Sequence, residues 1–294
     1  MMIKLLMWIS LLWIWTENPV NCDVNRSLIG FQNIASPVLE GIIDLHDHIL
    51  FFLTIILIIV LYLFLEVFLK HLNLPYKEFL QRRKVLSDDT LELLWTILPG
   101  LILVLIGIPS FSILYAMDEV INPNITIKVE GHQWYWSYEY ELRVKYSDIT
   151  RWYMAENKGI DLSKEFSEPY YKKSEDINWV KSSMDSYLIH EGELKTGDLR
   201  LLETDTILVV PSGVNIRFIV TADDVIHSWT VPAWGVKLDA VPGRLNQFFV
   251  YISRPGVYYG QCSEICGVGH GFMPIKVIAI PFEDWVKWIM KVNI

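Results

Sequence analysis

The chain of 294 residues contains only three cysteines, too few for a disulfide scaffold. It has no Cys-x-x-Cys-His run, no phosphate-cradling glycine loop and no Gly-x-Ser-x-Gly elbow, so it lacks residues for haem attachment, nucleotide chemistry or serine hydrolysis. Positive charge is also scarce. Lys and Arg number 25 against 34 Asp and Glu, a net charge of −9. Such a surface does not neutralise a phosphate backbone, which excludes nucleic acid as a partner and favours a basic one.

Apolar residues are abundant, at 52%, and the mean hydropathy is positive. That balance indicates membrane segments joined to one ordinary domain. Residues 49–65 and 93–117 carry no charge at all. As a helix the second run would extend about 38 Å, against a hydrocarbon core of about 30 Å. Spans are therefore expected at about 46–70 and 93–117. A buried soluble helix is a poor alternative, because globular helices usually keep a polar face. Pro99 and Pro109 are tolerable in a bilayer if neighbouring groups satisfy the carbonyls they free. Lys70, Lys77, Arg82, Arg83 and Lys84 lie between the runs, whereas Glu40, Asp44, Asp47, Asp118 and Glu119 flank their other ends. By the positive-inside rule the short loop faces the inner compartment, and residues 119–294 form an outer domain. Residues 1–22, with Lys4 ahead of an apolar run too short to span, read as a leader; Cys22 has no assigned role. The N-terminal segment with both spans then covers 23–118.

Beyond Asn122 the pattern turns to strands. Val214, Ile216, Phe218 and Val220 alternate on one face, and similar alternation occurs at 125–129 and 275–280. Pro211-Ser-Gly213, Pro242-Gly243 and Pro255-Gly256 mark turns. The fold class is a two-helix transmembrane hairpin followed by an all-β Greek-key sandwich. Residues 131–140 read as one strand, with His132, Trp134, Trp136, Tyr138 and Tyr140 sharing a face.

The chemistry concentrates in Cys262-Ser-Glu-Ile-Cys266-Gly-Val-Gly-His270-Gly-Phe-Met273, with His227 upstream. Thiolate, thioether and imidazole together form the ligand set copper prefers. A mononuclear blue site takes one cysteine. Two Cys, two His and one Met suit a pair of coppers sharing both sulfurs. Gly267, Gly269 and Gly271 let the loop curl by adopting positive φ. A cystine or a Cys2His2 zinc site are the alternatives, and neither accounts for Met273.

These twelve residues resemble the copper A loop of the cytochrome c oxidase subunit 2 family. So do Gly131-His-Gln-Trp-Tyr-Trp136, Asp224-Val-Ile-His-Ser-Trp229 and Asp239-Ala-Val-Pro-Gly-Arg-Leu-Asn-Gln247. The likeness runs over residues 31–283, interrupted at about 142–184 by what reads as a surface insertion. It implies a cupredoxin-like sandwich holding a binuclear copper A centre on His227, Cys262, Cys266, His270 and Met273, with the Glu264 carbonyl as a weak ligand. It further implies a Glu264 side chain on a magnesium ion shared with the haem-bearing catalytic subunit 1. Electrons would arrive at Trp134 and leave by His270. Glu92, in Glu-x-x-Trp-Thr-Ile-Leu-Pro, would lie at the mouth of a proton path.

The implied donor is cytochrome c. From Asp118 onward 24 acidic and 18 basic residues give a net −6, which suits a basic diffusing partner. Glu139, Asp205 and Asp224 are the expected acidic contacts. The implied function is electron transfer within a proton-translocating terminal oxidase whose oxygen chemistry belongs to other subunits. Chain length and the absence of a fused haem domain favour the mitochondrial inner membrane, with a bacterial plasma membrane as the alternative. A copper chaperone would expose sparse sulfur ligands, and the related quinol oxidase subunit would lack them.

Overall fold

The computed structural model describes residues 30–72, 87–119, 122–145 and 177–292. The leader, Cys22, the basic residues 77–84 and positions 146–176 of the insertion lie outside these. The chain divides into two compact units: Val38–Glu119, and Val120–Ile294 together with the residues up to Pro37.

The first unit holds two long helices, α1 (Pro37–Leu72) and α2 (Asp89–Asp118). Both are long and apolar enough to cross a membrane, and both extend past the spans expected from charge alone. The extra turns carry charged residues, Glu40 and Asp44 in α1 and Asp89 and Glu92 in α2. Asp88 caps α2, its carboxylate accepting from the N–H groups of Thr90 and Leu91 at 3.1 Å, which satisfies two donors that a helix start leaves free. Glu92 follows in the first turn, exposed. None of the α2 residues is buried; its apolar side chains are left for lipid or partner helices.

Pro109 lacks an N–H, so the carbonyl of Leu105, four residues earlier, loses its helical partner. His48 Nε2 of α1 lies 3.4 Å from that oxygen. With Nε2 protonated the ring donates to the freed carbonyl, so the group that breaks the ladder of α2 also ties it to α1.

The second unit is a sandwich. One sheet has the order β3-β2-β1-β5-β8, built from β1 (Ile125–His132), β2 (Tyr135–Lys145), β3 (Ile177–Ser186), β5 (Asn215–Ala222) and β8 (Asn246–Tyr251). The other has the order β4-β10-β9, from β4 (Leu208–Ser212), β9 (Gly256–Gln261) and β10 (Pro274–Pro281). A ribbon of β6 (His227–Val231) and β7 (Val236–Ala240) completes it. The pairs β1–β5 and β4–β10 are parallel, so crossovers rather than hairpins join these partners.

Ile216, Phe218 and Val220 are fully buried on one face of β5, whereas Val214 precedes the strand and is half-buried. Phe218 stacks on Phe248 with centroids 4.9 Å apart and on Trp229 at 5.2 Å. Each such fully buried side chain contributes about 2 kcal/mol. Helix α3 (Phe282–Val292) closes one side, its Trp285 Nε1 donating to the Val209 carbonyl at 3.0 Å. Residues before α1 join the same unit: Ala35 donates to Ala233 O at 3.1 Å and accepts from Ser253 N at 2.9 Å.

One sequence expectation needs correction. Residues 131–140 are not one strand. β1 ends at His132, Gln133 and Trp134 turn the chain, and β2 begins at Tyr135. Trp136, Tyr138 and Tyr140 do share the buried face, but Trp134 is lifted out of it. The stretch is aromatic on both sides of the reversal, so alternation alone did not reveal a turn that lacks Gly, Pro and Asn. The insertion begins and ends in paired structure, with Leu142–Lys145 of β2 hydrogen-bonded to Val180–Ile177 of β3.

Replacing His48 with Leu should weaken association of the two helices by about 1 kcal/mol, the usual worth of one polar contact in a bilayer. Reversible unfolding in mixed micelles measures this, and an unchanged midpoint would contradict the pairing.

Candidate metal centre

Strands β9 and β10 pair antiparallel up to Gln261 and Pro274. Cys262 and Met273 are therefore the next residues outward, and the ligand loop is the tip of a hairpin clamped at both ends. His227 is the first residue of β6, and Ser228 O accepts from Ser263 N at 3.0 Å, fastening that strand to the loop. The sequence thus brings together ligands from two strand ends.

Cys262 Sγ and Cys266 Sγ lie 3.9 Å apart, and both cysteines are free rather than joined as a cystine. His227 Nδ1 is 4.0 Å from Cys262 Sγ, and His270 Nδ1 is 3.6 Å from Cys266 Sγ. Met273 Sδ lies 3.6 Å from Cys266 Sγ, and the Glu264 carbonyl 3.4 Å from Cys262 Sγ. The donor atoms of His227, Cys262 and Cys266 all fall within 4.8 Å of one another. Every expected copper ligand therefore points at one small space. Two thiols, two Nδ1 atoms and a buried thioether fit copper, since zinc does not select thioether.

Neighbouring groups hold these ligands from outside, as metal sites generally require. Asp224 Oδ1 accepts from His227 Nε2 at 2.8 Å, leaving Nδ1 to face the sulfurs. Trp136 Nε1 donates to Met273 O at 3.2 Å. Trp134 Nε1 and Gln133 Nε2 donate to Cys266 O at 3.2 and 2.9 Å.

The glycines act differently from the expectation. Only Gly267 has positive φ, at 116°. Gly269 is needed for space: a Cβ there would lie 2.3 Å from Trp134 Cγ. Gly131 likewise leaves room for the His227 ring, whose Cδ2 would be 2.9 Å from a Cβ.

The other candidates are dispersed. Trp134, 36% exposed, lies directly on the loop. Asp205 is exposed, and its Oδ1 accepts from Tyr187 N and Thr206 N at 2.8 and 2.6 Å. Glu139 is half-buried on β2, and Glu92 belongs to the helical unit. Glu264 is half-buried, but its neighbours do not shield it: Ile265 is 74% exposed and Phe272 52%. Sequence reasoning missed Gln133 and the bond from Asp224 to His227. The three-residue spacing of Asp224 and His227 was the available signal for the second.

The two thiols differ in acidity. Burial pushes the Cys262 thiol up, but hydrogen bonds from His227, the Ser228 and Glu264 backbone and His270 outweigh it and bring it below the usual thiol range. Burial and the charge on Cys262 push Cys266 up. His227 is pulled down by burial but raised overall by Cys262 and Asp224. One proton therefore leaves the pair readily and the second reluctantly. In metal-free protein at neutral pH, iodoacetamide should modify Cys262 before Cys266, read by peptide mass. Equal rates would contradict the asymmetry, since the two are similarly buried and the thiolate is the nucleophile.

Family comparison agrees with this geometry. Residues 24–113 match the model for the transmembrane domain of cytochrome c oxidase subunit II, and residues 162–280 the model for its periplasmic domain. The chain is 47% identical over 262 residues to cytochrome c oxidase subunit 2 of Arabidopsis thaliana, covering 89% of this chain and 88% of the relative. It is 46% identical to the protein of Vigna unguiculata named cytochrome c oxidase subunit 2, mitochondrial, covering 89% of this chain and 61% of that one. Among solved structures, the periplasmic domain of subunit II of cytochrome oxidase of Bradyrhizobium japonicum is 34% identical, with a TM-score of 0.41, covering 59% of this chain and 96% of that domain. With two membrane-spanning helices, a cupredoxin-like sandwich and its clustered sulfur and imidazole ligands, the chain belongs to the cytochrome c oxidase subunit 2 family.

Proposed function

We propose that this chain is the electron-transfer subunit of a respiratory terminal oxidase, taking electrons from cytochrome c and passing them to the haem of catalytic subunit 1. The observation that carries the reading is the convergence of two unbonded thiols, two imidazoles and a thioether on one small space. Cys262, Cys266, His227, His270, Met273 and the Glu264 carbonyl would hold two coppers, which would supply a one-electron relay there, and binding would take the proton from each thiol.

The remaining residues serve that relay by orientation and access. Trp134 presents a partly exposed indole whose N–H is bonded to the backbone of a ligand. It is the point where electrons enter from the donor. His270, the residue after the Gly269 that Trp134 covers, is the proposed exit. Cys262 and Cys266 are 6% and 4% exposed, which favours a closed relay over a metal-exchanging chaperone. Ile265, Val268 and Phe272 are 74%, 90% and 52% exposed around the loop. An apolar tip of this kind is suited to burial against the catalytic subunit, where the Glu264 carboxylate would meet a magnesium ion.

The acidic excess of the outer domain suits a basic donor and a salt-dependent encounter. Glu139, Asp205 and Asp224 are the proposed contacts, although Asp205 and Asp224 also hold local structure. Glu92 in the first turn of α2 is the proposed opening of a proton path. The name of the Vigna relative supports the mitochondrial inner membrane, with the sandwich in the intermembrane space.

Cys262→Ser should abolish the mixed-valence copper spectrum and lower cytochrome c oxidation by more than about 100-fold, beyond the 10–100-fold that follows loss of an outer partner. Near-normal turnover of that variant in the assembled oxidase would overturn the proposal.

A further inference from the structure

The two halves of the ligand set come from segments distant in sequence: Asp224–His227 at the start of β6, and the hairpin tip 262–273. Gln133 donates a hydrogen bond to each. The Gln133 N–H donates to Asp224 Oδ2 at 2.6 Å, and the other oxygen of that carboxylate accepts from His227 Nε2 at 2.8 Å. The Gln133 side chain turns the other way, its Nε2 donating to the Cys266 carbonyl at 2.9 Å. A carbonyl carries no hydrogen, so the amide nitrogen must be the end that faces it.

The turn around Gln133 is fitted to the same two ligands. Gly131 leaves the space that the His227 ring occupies, and its carbonyl accepts from Asp223 N at 3.1 Å. Trp134 adds a second donor to Cys266 O and fills the space left by Gly269.

We propose that Gln133 is a positioning residue for the metal centre, clamping the His227 side to the Cys266 side through Asp224 and the Cys266 carbonyl. The inference rests on the copper reading above. Its physical content is that a carbonyl held by two donors fixes the Cys266 backbone, and with it the position from which the thiolate reaches the metals. Gln133 is exposed as a residue, so a simple role in partner contact is the competing account. The two differ in what they would change. A clamp affects the metal centre itself, with or without the partner. A contact residue affects only the encounter.

The test uses the assembled, copper-loaded oxidase carrying Gln133→Met, which keeps the side-chain volume and removes the donor. Gln133→Asn is the second variant, keeping the amide but shortening its reach. Both are compared with the parent by mixed-valence absorption and spin resonance, by copper release to a chelator, and by KM for cytochrome c across ionic strength. The expected result is release about five-fold faster, the factor one ordinary hydrogen bond controls, an altered hyperfine pattern and an unchanged KM. Parent-like spectra and release in both variants, with or without a raised KM, would overturn the clamp. A parent enzyme with no mixed-valence signal would instead refute the copper reading beneath it.

Discussion

Two sulfur atoms held 3.9 Å apart without bonding set the terms for the rest of the outer domain. Left to themselves in an oxidising compartment, thiols this close tend toward a disulfide. Here each has another partner: Cys262 faces His227 and the Glu264 carbonyl, and Cys266 faces His270 and Met273. The pairing β9–β10 fixes where the loop begins and ends. The turn 131–134 and the 224–227 segment then hold it from the side.

That arrangement has a cost in polarity. His227 is fully buried, and an unpaired imidazole there would be expensive. Asp224 offsets this by accepting from its far nitrogen. The aromatic core beneath does related work. Trp136, Tyr138 and Tyr140 line one buried face, and their polar atoms reach Met273 O, Trp229 Nε1 and Val209 respectively. Buried aromatic area stabilises the sandwich, and the hydrogen bonds fix its register beneath the site. The membrane unit follows the same logic on a smaller scale, with His48 beside the carbonyl that Pro109 frees.

The cluster of Cys, His and Met was legible in the sequence because soft donors come from few residue types, and their close spacing is rare by chance. The charge-free runs were legible for a similar reason, since a bilayer core disfavours charge. The hairpin at Gln133-Trp134 was not. Its turn is specified by contact with Cys266 and Asp224, residues far along the chain, rather than by local turn chemistry. Gly269 likewise looked like a flexible joint, yet its small size matters more than its φ of −87°. The exposure of Ile265 and Phe272 was hidden too, because hydrophobicity alone does not say which apolar groups await a partner.

The most direct measurement is metal analysis with electron spin resonance on the purified complex. Two coppers assigned to this chain, with one unpaired electron shared equally by both nuclei, are the expected result. Zinc in their place, a single copper with a localised spin, or a bond between Cys262 and Cys266 would contradict it.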